Sequence, residues 1–354
     1  MIPAHWLDAA LAPPIAWGSG PLSTGLLRSS PEDFKVIEVL GFEPSGAGPH
    51  ALLTVRKRGA NTEWVARELA RAAGCKPFEV GFAGLKDRNA VTTQAFTVPR
   101  GKRAAEEFIG TTGEGYEVIA SAAHQRKLPR GALEGNRFEI TVRDLRCDEA
   151  ALRERLDAIA RGGVPNYFGP QRFGRDAGNL AEVLRAAERL PGGRGRGRGR
   201  SDEGFMLSAA RSVIFNAILA ARIGQGSWNR LLAGDVANLD GRGSVFAVPA
   251  PDAELEQRCA ALDLHPTAPL WGDGEALSTG EVRSLEERIA GGFPEALAVI
   301  RHARMNAERR ALRMRVRDLT HEYAQDVLRL GFALPSGSFA TAVLRELIST
   351  DAGE

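Results

Sequence analysis

Three short segments hold the residue types that chemistry needs. In Gly81-Phe82-Ala83-Gly84-Leu85-Lys86-Asp87-Arg88-Asn89-Ala90-Val91-Thr92-Thr93-Gln94 a strand signal ends in a glycine-containing loop that presents one acid between two cations. Lys86 and Arg88 would favour the ionised form of Asp87, which suits a nucleophile or a general base. A solvated charge cluster has the same letters. In Gly135-Asn136-Arg137-Phe138 an amide and an aromatic stand two apart at the start of a strand and share a face. Asn136 would bond the edge of an unstacked base while Phe138 supports its plane, as recognition of single-stranded RNA requires. The alternative is a turn asparagine followed by a core phenylalanine. The third segment, Val164 to Arg175, sets Asn166, Tyr167, Phe168, Gln171, Arg172, Phe173 and Arg175 among glycines and prolines. Such a loop suits contact with folded RNA, or else it is a structural hinge.

Basic residues recur near these segments. Arg126, Lys127 and Arg130 lie together, and from Arg301 to Arg317 there are seven arginines and one glutamate, a local charge of +6. Local patches matter because the whole chain carries only +2, with 46 Lys+Arg against 44 Asp+Glu.

Other chemistry is excluded by absence of its motifs. No phosphate-binding P-loop, dinucleotide glycine pattern, nucleophile elbow or H-E-x-x-H helix occurs; His321-Glu322 runs on into Tyr323-Ala324-Gln325. The six histidines include no pair at helical spacing that would hold a metal. Cys75, Cys147 and Cys259 form no C-x-x-C, which points to a reduced compartment. Neither metal nor cofactor is expected.

The elements that must position these residues read as follows. Strands are expected at Phe34 to Val39, Ala51 to Arg56, Phe78 to Ala83, Ala95 to Val98 and Phe138 to Arg143. Val65, Leu69 and Ala72 repeat at helical spacing between Thr62 and Ala73, where Asn61 or Thr62 caps the start and Gly74 the end. From about Glu149 the texture turns helical, with candidates at Ala150 to Ala160, Leu180 to Leu190 and Phe205 to Ile223. Gly162-Gly163 marks a boundary, and the Arg-Gly run from Gly192 to Arg200 predicts a disordered loop. Strand texture returns at Leu312 to Arg317 and Val327 to Leu334, and an amphipathic helix is expected from Ser338 to Ser349.

With 354 residues, 44% of them hydrophobic and 25% charged, the chain has the composition of a folded protein longer than one typical domain. The pattern implies an α+β domain made from both ends of the chain, 1–161 plus 311–354, interrupted by a largely helical inserted domain at 162–310. No uninterrupted apolar run approaches the ~20 residues of a membrane span, and the N-terminus lacks a signal-peptide pattern. A cytoplasmic protein is expected.

Ala83 to Gln94, Asn166 to Gly174, Gly135 to Phe138, and Gly337-Ser338-Phe339-Ala340-Thr341 together resemble the TruD family of tRNA pseudouridine synthases. Their order and spacing extend the resemblance over essentially the whole chain. It implies a mixed-sheet pseudouridine-synthase catalytic domain with an inserted family-specific domain, acting on uridine 13 in the D-arm of tRNA. It implies that Asp87 is the nucleophile and that Phe34, Asn136 and Phe339 line the substrate pocket; the strand spacing adds Phe138 to the substrate-binding residues. The RNA-binding residues are expected to be Lys86, Arg88, Arg28, Lys127, Arg130, Arg172 and Arg175. A monomer without an obligatory protein partner is expected. A protein that only binds RNA, or an enzyme of this type acting on another RNA, would share the basic and aromatic segments.

Overall fold

The computed structural model describes residues 1–190 and 200–349 and divides into two compact units. The Arg-Gly run, apart from its last residue, lies outside the described residues.

One unit comprises Leu22–Leu152, Val316–Gly337 and Ile348–Glu354. Its main sheet runs, among the described residues, in the order Arg317–Ala324, Val327–Pro335, Gly135–Arg143, Phe34–Val39, Val91–Pro99, His50–Arg58, Tyr116–His124 and Thr112–Gly113. Phe34–Val39 pairs parallel with Val91–Pro99, whereas the neighbouring pairs are antiparallel, so the sheet is mixed. Strand periodicity sends Ala51, Leu53 and Val55 into the core, each fully buried. Lys57 follows in the same phase and is 1% exposed, a lysine where the alternation calls for an apolar residue.

The helix Thr62–Ala73 covers this face with Val65, Ala66, Leu69 and Ala70. The Asn61 side chain accepts from Glu63 N–H at 2.9 Å, and Gly74 ends the helix in the left-handed conformation at φ +68°. Thr62 is therefore free of capping duty.

Several elements depart from sequence expectation. The strand expected at Phe78 to Ala83 is reduced to Gly81–Phe82, because Pro77 opens a 3-10 turn closed by Glu79 on the Lys76 N–H. A Cβ on Gly81 would meet Leu128 O at 2.6 Å, so the close approach there demands glycine. Gly135–Arg143 begins three residues before the expected strand, which places Asn136 inside the sheet rather than in a turn. Leu312 to Arg317 is interrupted: Arg313–Met314 pairs with Val164–Pro165, and a separate strand starts at Arg317. The closing helix is confined to Ala340–Leu344, and Ile348–Ser349 pairs parallel with Ser23–Thr24.

The other unit comprises Met1–Pro21, Arg153–Arg315 and Ser338–Leu347. Its core surrounds Arg200–Gly224, whose Ala210, Val213, Ile214, Phe215, Ile218 and Leu219 are buried against Ala4–Leu11, Gly178–Arg189 and Pro294–His302. By length and composition residues 203–224 could cross a membrane, but the helix is a core element with 56% of its most apolar window buried. Its Arg222 is satisfied internally by Asp235 at 2.8 Å. An antiparallel sheet in the order Val245–Val248, Asp235–Leu239, Leu264–Leu270 and Glu308–Ala311 accompanies the helices.

Candidate active site

Asp87 stands on a loop that the surrounding framework pins at nearly every residue. The Lys57 ammonium donates to the carbonyls of Ala60, Lys86 and Asp87 at 3.1, 3.3 and 3.1 Å, matching three donors to three acceptors. Thr62 Oγ1 accepts from Lys86 N–H at 3.1 Å and donates to Gln94 Oε1, while Gln94 Nε2 donates to Gly84 O. Arg88 Nε donates at 3.0 Å to the carbonyl of Gly59, which turns at φ +68°. Both oxygens of Asp87 are engaged as well: Oδ1 accepts from Asn89 N–H at 2.9 Å, and Oδ2 faces Arg28 Nη2 at 2.9 Å. Its side chain is still 37% exposed.

The cation that meets Asp87 is thus Arg28, not Lys86. The Lys86 ammonium turns inward to Glu38 at 2.6 Å, with side-chain exposures of 8% and 1%, so it is not placed to grip a phosphate. Arg28 adopts φ +57°, an uncommon conformation for a residue with a Cβ, and its guanidinium lies 4.4 Å from the centroid of Phe34. Phe34 meets Phe138 edge to face at 6.3 Å, and Phe138 stacks on Phe332 at 5.4 Å. Phe138 is therefore a core aromatic supporting Phe34 from behind.

Asn136 lies directly opposite Glu38 in the antiparallel register and shares its face. Because Glu38 holds Lys86, this pairing brings Asn136 to the framework of the Asp87 loop. The Asn136 Oδ1 is buried and meets no hydrogen-bond donor among the described residues. Such an orphan costs about 1–3 kcal/mol until a donor arrives.

Lys127 and Arg130 flank the same loop. Lys127 donates to Phe78 O, Arg130 lies 3.6 Å over Phe82, and Gly131 N–H bonds Ala83 O at 2.7 Å. Both side chains are exposed residues of one unit together with Asp87, Arg28, Phe34 and Asn136. Phe339 belongs to the other unit, at the N-cap of Ala340–Leu344, half-buried against that unit's core.

The Asn166 to Arg175 loop is largely internal to its unit. Tyr167, Phe168 and Phe173 are buried, and Asn166 donates to Ala311 O while accepting from Arg310 Nη2 at 2.5 Å. Arg172 bonds Ser208 Oγ at 3.0 Å and lies 5.3 Å from Phe168, while Arg175 is exposed. The basic stretch that follows is likewise partly internal. Arg309 pairs with Glu286 at 2.8 Å, Arg310 lies 4.2 Å over Phe168, and Arg313 donates to the carbonyls of Cys259 and Leu264. The +6 of this segment is therefore not a surface patch; Arg301, Arg304 and Arg315 are its exposed members.

The residues that sequence reasoning missed are Lys57, Glu38, Thr62 and Gln94. Lys57 had a legible signal, a cation in phase with Ala51, Leu53 and Val55. Burial pushes its ammonium down to about 8, partly offset by the nearby Asp87. Among the described residues no cluster of three or more His, Cys, Asp or Glu is arranged to hold a metal.

The family model of tRNA pseudouridine synthase D (TruD) matches residues 18–186 and 203–347. The chain is 46% identical to the tRNA pseudouridine synthase D of Xanthomonas euvesicatoria, covering 96% of this chain and 95% of the relative. It is 44% identical to that of Methylococcus capsulatus, with 92% of each covered. A crystal structure assigned to tRNA pseudouridine synthase D from Methanosarcina mazei shares the fold, with a TM-score of 0.73 at 23% identity over 98% of both chains. Matched across both units and nearly end to end, the chain belongs to the TruD family of tRNA pseudouridine synthases.

Proposed function

We propose that this protein isomerises a uridine of tRNA to pseudouridine, that the uridine is position 13 in the D-arm, and that Asp87 is the nucleophile. The observation that carries the reading is the Asp87 carboxylate, kept at the surface of a loop braced at nearly every residue, oriented by Arg28 above Phe34, with the unpartnered Oδ1 of Asn136 on the same framework. A site that only gripped phosphate would have no use for a held acid beside its cations.

The uridine first leaves the stack, since its ring must detach and turn. Phe34 packs against the base, and Asn136 Oδ1 accepts from a ring N–H. A carboxylate oxygen of Asp87 then bonds either to C6 of the base or to C1′ of the ribose. In either route the N1–C1′ bond breaks, the ring turns, and C5 bonds to C1′. Asp87 is released, C5 loses its proton, and N1 gains one. The exchange of a C–N for a C–C bond involves no net oxidation. The protein acts as a monomer in a reducing, cytoplasmic compartment, in keeping with its three free cysteines.

The test is incubation of the protein with total tRNA, without added cofactor, followed by chemical mapping of pseudouridine. Product at position 13 is expected. Product at another position would overturn the site assignment, and tight binding without product would leave a protein that only binds RNA.

A further inference from the structure

Leu85 has no place in the bracing just described. Every neighbour along the loop is tied down: Gly84 through its carbonyl, Lys86 through backbone and side chain, Asp87 through both carboxylate oxygens, Arg88 through Gly59. Leu85 alone projects a large apolar side chain that is 64% exposed. Its Cα is at most about 7.6 Å from that of Asp87, the span of two trans peptides. A rigid loop that holds a reactive carboxylate at one residue and an exposed leucine two residues earlier presents both to the same stretch of substrate.

Resting on the proposed uridine isomerisation, we infer that Leu85 is the wedge that enters the RNA stack and fills the space left by the flipped uridine. Flipping leaves two base faces without a partner, and apolar side chains inserted between base steps offset that loss. Leucine supplies the area and has no polar group to desolvate on entry. The bracing of Gly84 and Lys86 supplies the stiffness that a wedge needs, because a loop that yielded on contact would lose the work of insertion. Arg88, exposed and next after Asp87 in the chain, leaves a cation for the adjoining phosphate.

The experiment compares two RNA hairpins with the same sequence around the target uridine. In one the uridine is stacked within a paired stem; in the other it is bulged and already unstacked. Single-turnover pseudouridine formation is measured for native protein, Leu85→Ala and Leu85→Met, with 2-aminopurine beside the target reporting unstacking and a melting curve for each protein. Leu85→Ala is expected to slow the stacked substrate about tenfold or more and the bulged one less than threefold, to lose the fluorescence rise, and to melt as the native protein does. Leu85→Met should recover most of the rate. An equal loss on both hairpins, or no loss on the stacked one, would overturn the wedge while leaving the isomerase reading intact. Absence of product from native protein on tRNA and on both hairpins would instead overturn that reading, and the wedge with it.

Discussion

Asp87 meets Arg28 through one oxygen and the Asn89 N–H through the other, so replacing it by asparagine keeps the shape but sets an NH2 group against one of two donors. The pair is partly exposed, and its loss should cost at most about 1 kcal/mol of stability. The nucleophile, by contrast, is gone. Asp87→Asn is therefore expected to melt within a few degrees of native, to bind tRNA within a few-fold, and to form no pseudouridine. Retained turnover would remove Asp87 from the mechanism. Lys57 gives the site its pH dependence. Below about pH 8 its charged ammonium has three donors for three carbonyls and faces Asp87; above it the amine keeps two donors and no charge. The rate at saturating tRNA should fall as pH rises through about 8, and Lys57→Met should lack that inflection. Stability moves the other way. The unfolded chain holds this proton up to about 10.5, so this residue's contribution rises with pH between 8 and 10.5. A native rate profile flat from pH 7 to 9.5 would show that the ammonium does not brace the loop.

At the scale of elements, the strands that carry the site were legible because their alternation is strong: Phe34–Val39 and Val327–Pro335 bury every second residue over most of their length. Tyr116–His124 was not, since its second half is Ala-Ser-Ala-Ala, with a register shift opposite Thr54/Val55 and no apolar rhythm. Leu264–Leu270 was missed for another reason: Pro266 and Pro269 argue against a strand, although the sheet accommodates both. The candidate nucleophile showed in sequence as an acid between cations, but which cation meets it did not, because Arg28 comes from a distant turn and Lys86 is claimed by Glu38. The same Leu264–Leu270 strand places His265 between Arg313, which donates to Nδ1 at 3.1 Å, and Asp240, 3.0 Å from Nε2. Burial first, then the nearby arginines, lower its proton affinity against the pull of Asp240. A folded pKa below the unfolded 6.5 means that the contribution is complete above 6.5 and is lost as pH falls below it. The melting temperature should therefore drop as pH is lowered below about 6.5, and His265→Gln should flatten that slope. An unchanged slope in the variant would assign the acid sensitivity elsewhere.

Over the whole molecule, a net charge of +2 leaves RNA affinity to whichever cations reach the surface, and the structure separates these from cations that build the fold. Arg310 belongs to the second kind: it bonds Asn166, lies over Phe168, and is weakened as an acceptor of protons by burial and then by Arg172. Arg130 is of the first kind, exposed over Phe82 beside the segment that leads to Asp87. The two classes respond differently to salt. Each phosphate neutralised by a surface cation releases counterions and adds about 0.7–0.9 to the slope of log K against log[salt], whereas an internal arginine releases none. Arg130→Gln should therefore make that slope shallower by about 1 and leave melting unchanged. Arg310→Gln should leave the slope as it is and lower stability by about 2–4 kcal/mol, because Asn166 loses its donor within the core. The measurement is tRNA affinity at four or more salt concentrations for native protein and both variants, each with a melting curve. A shallower slope in Arg310→Gln at unchanged melting would mean that the Arg301 to Arg317 stretch meets RNA after all, and the division between surface and structural cations would have to be redrawn.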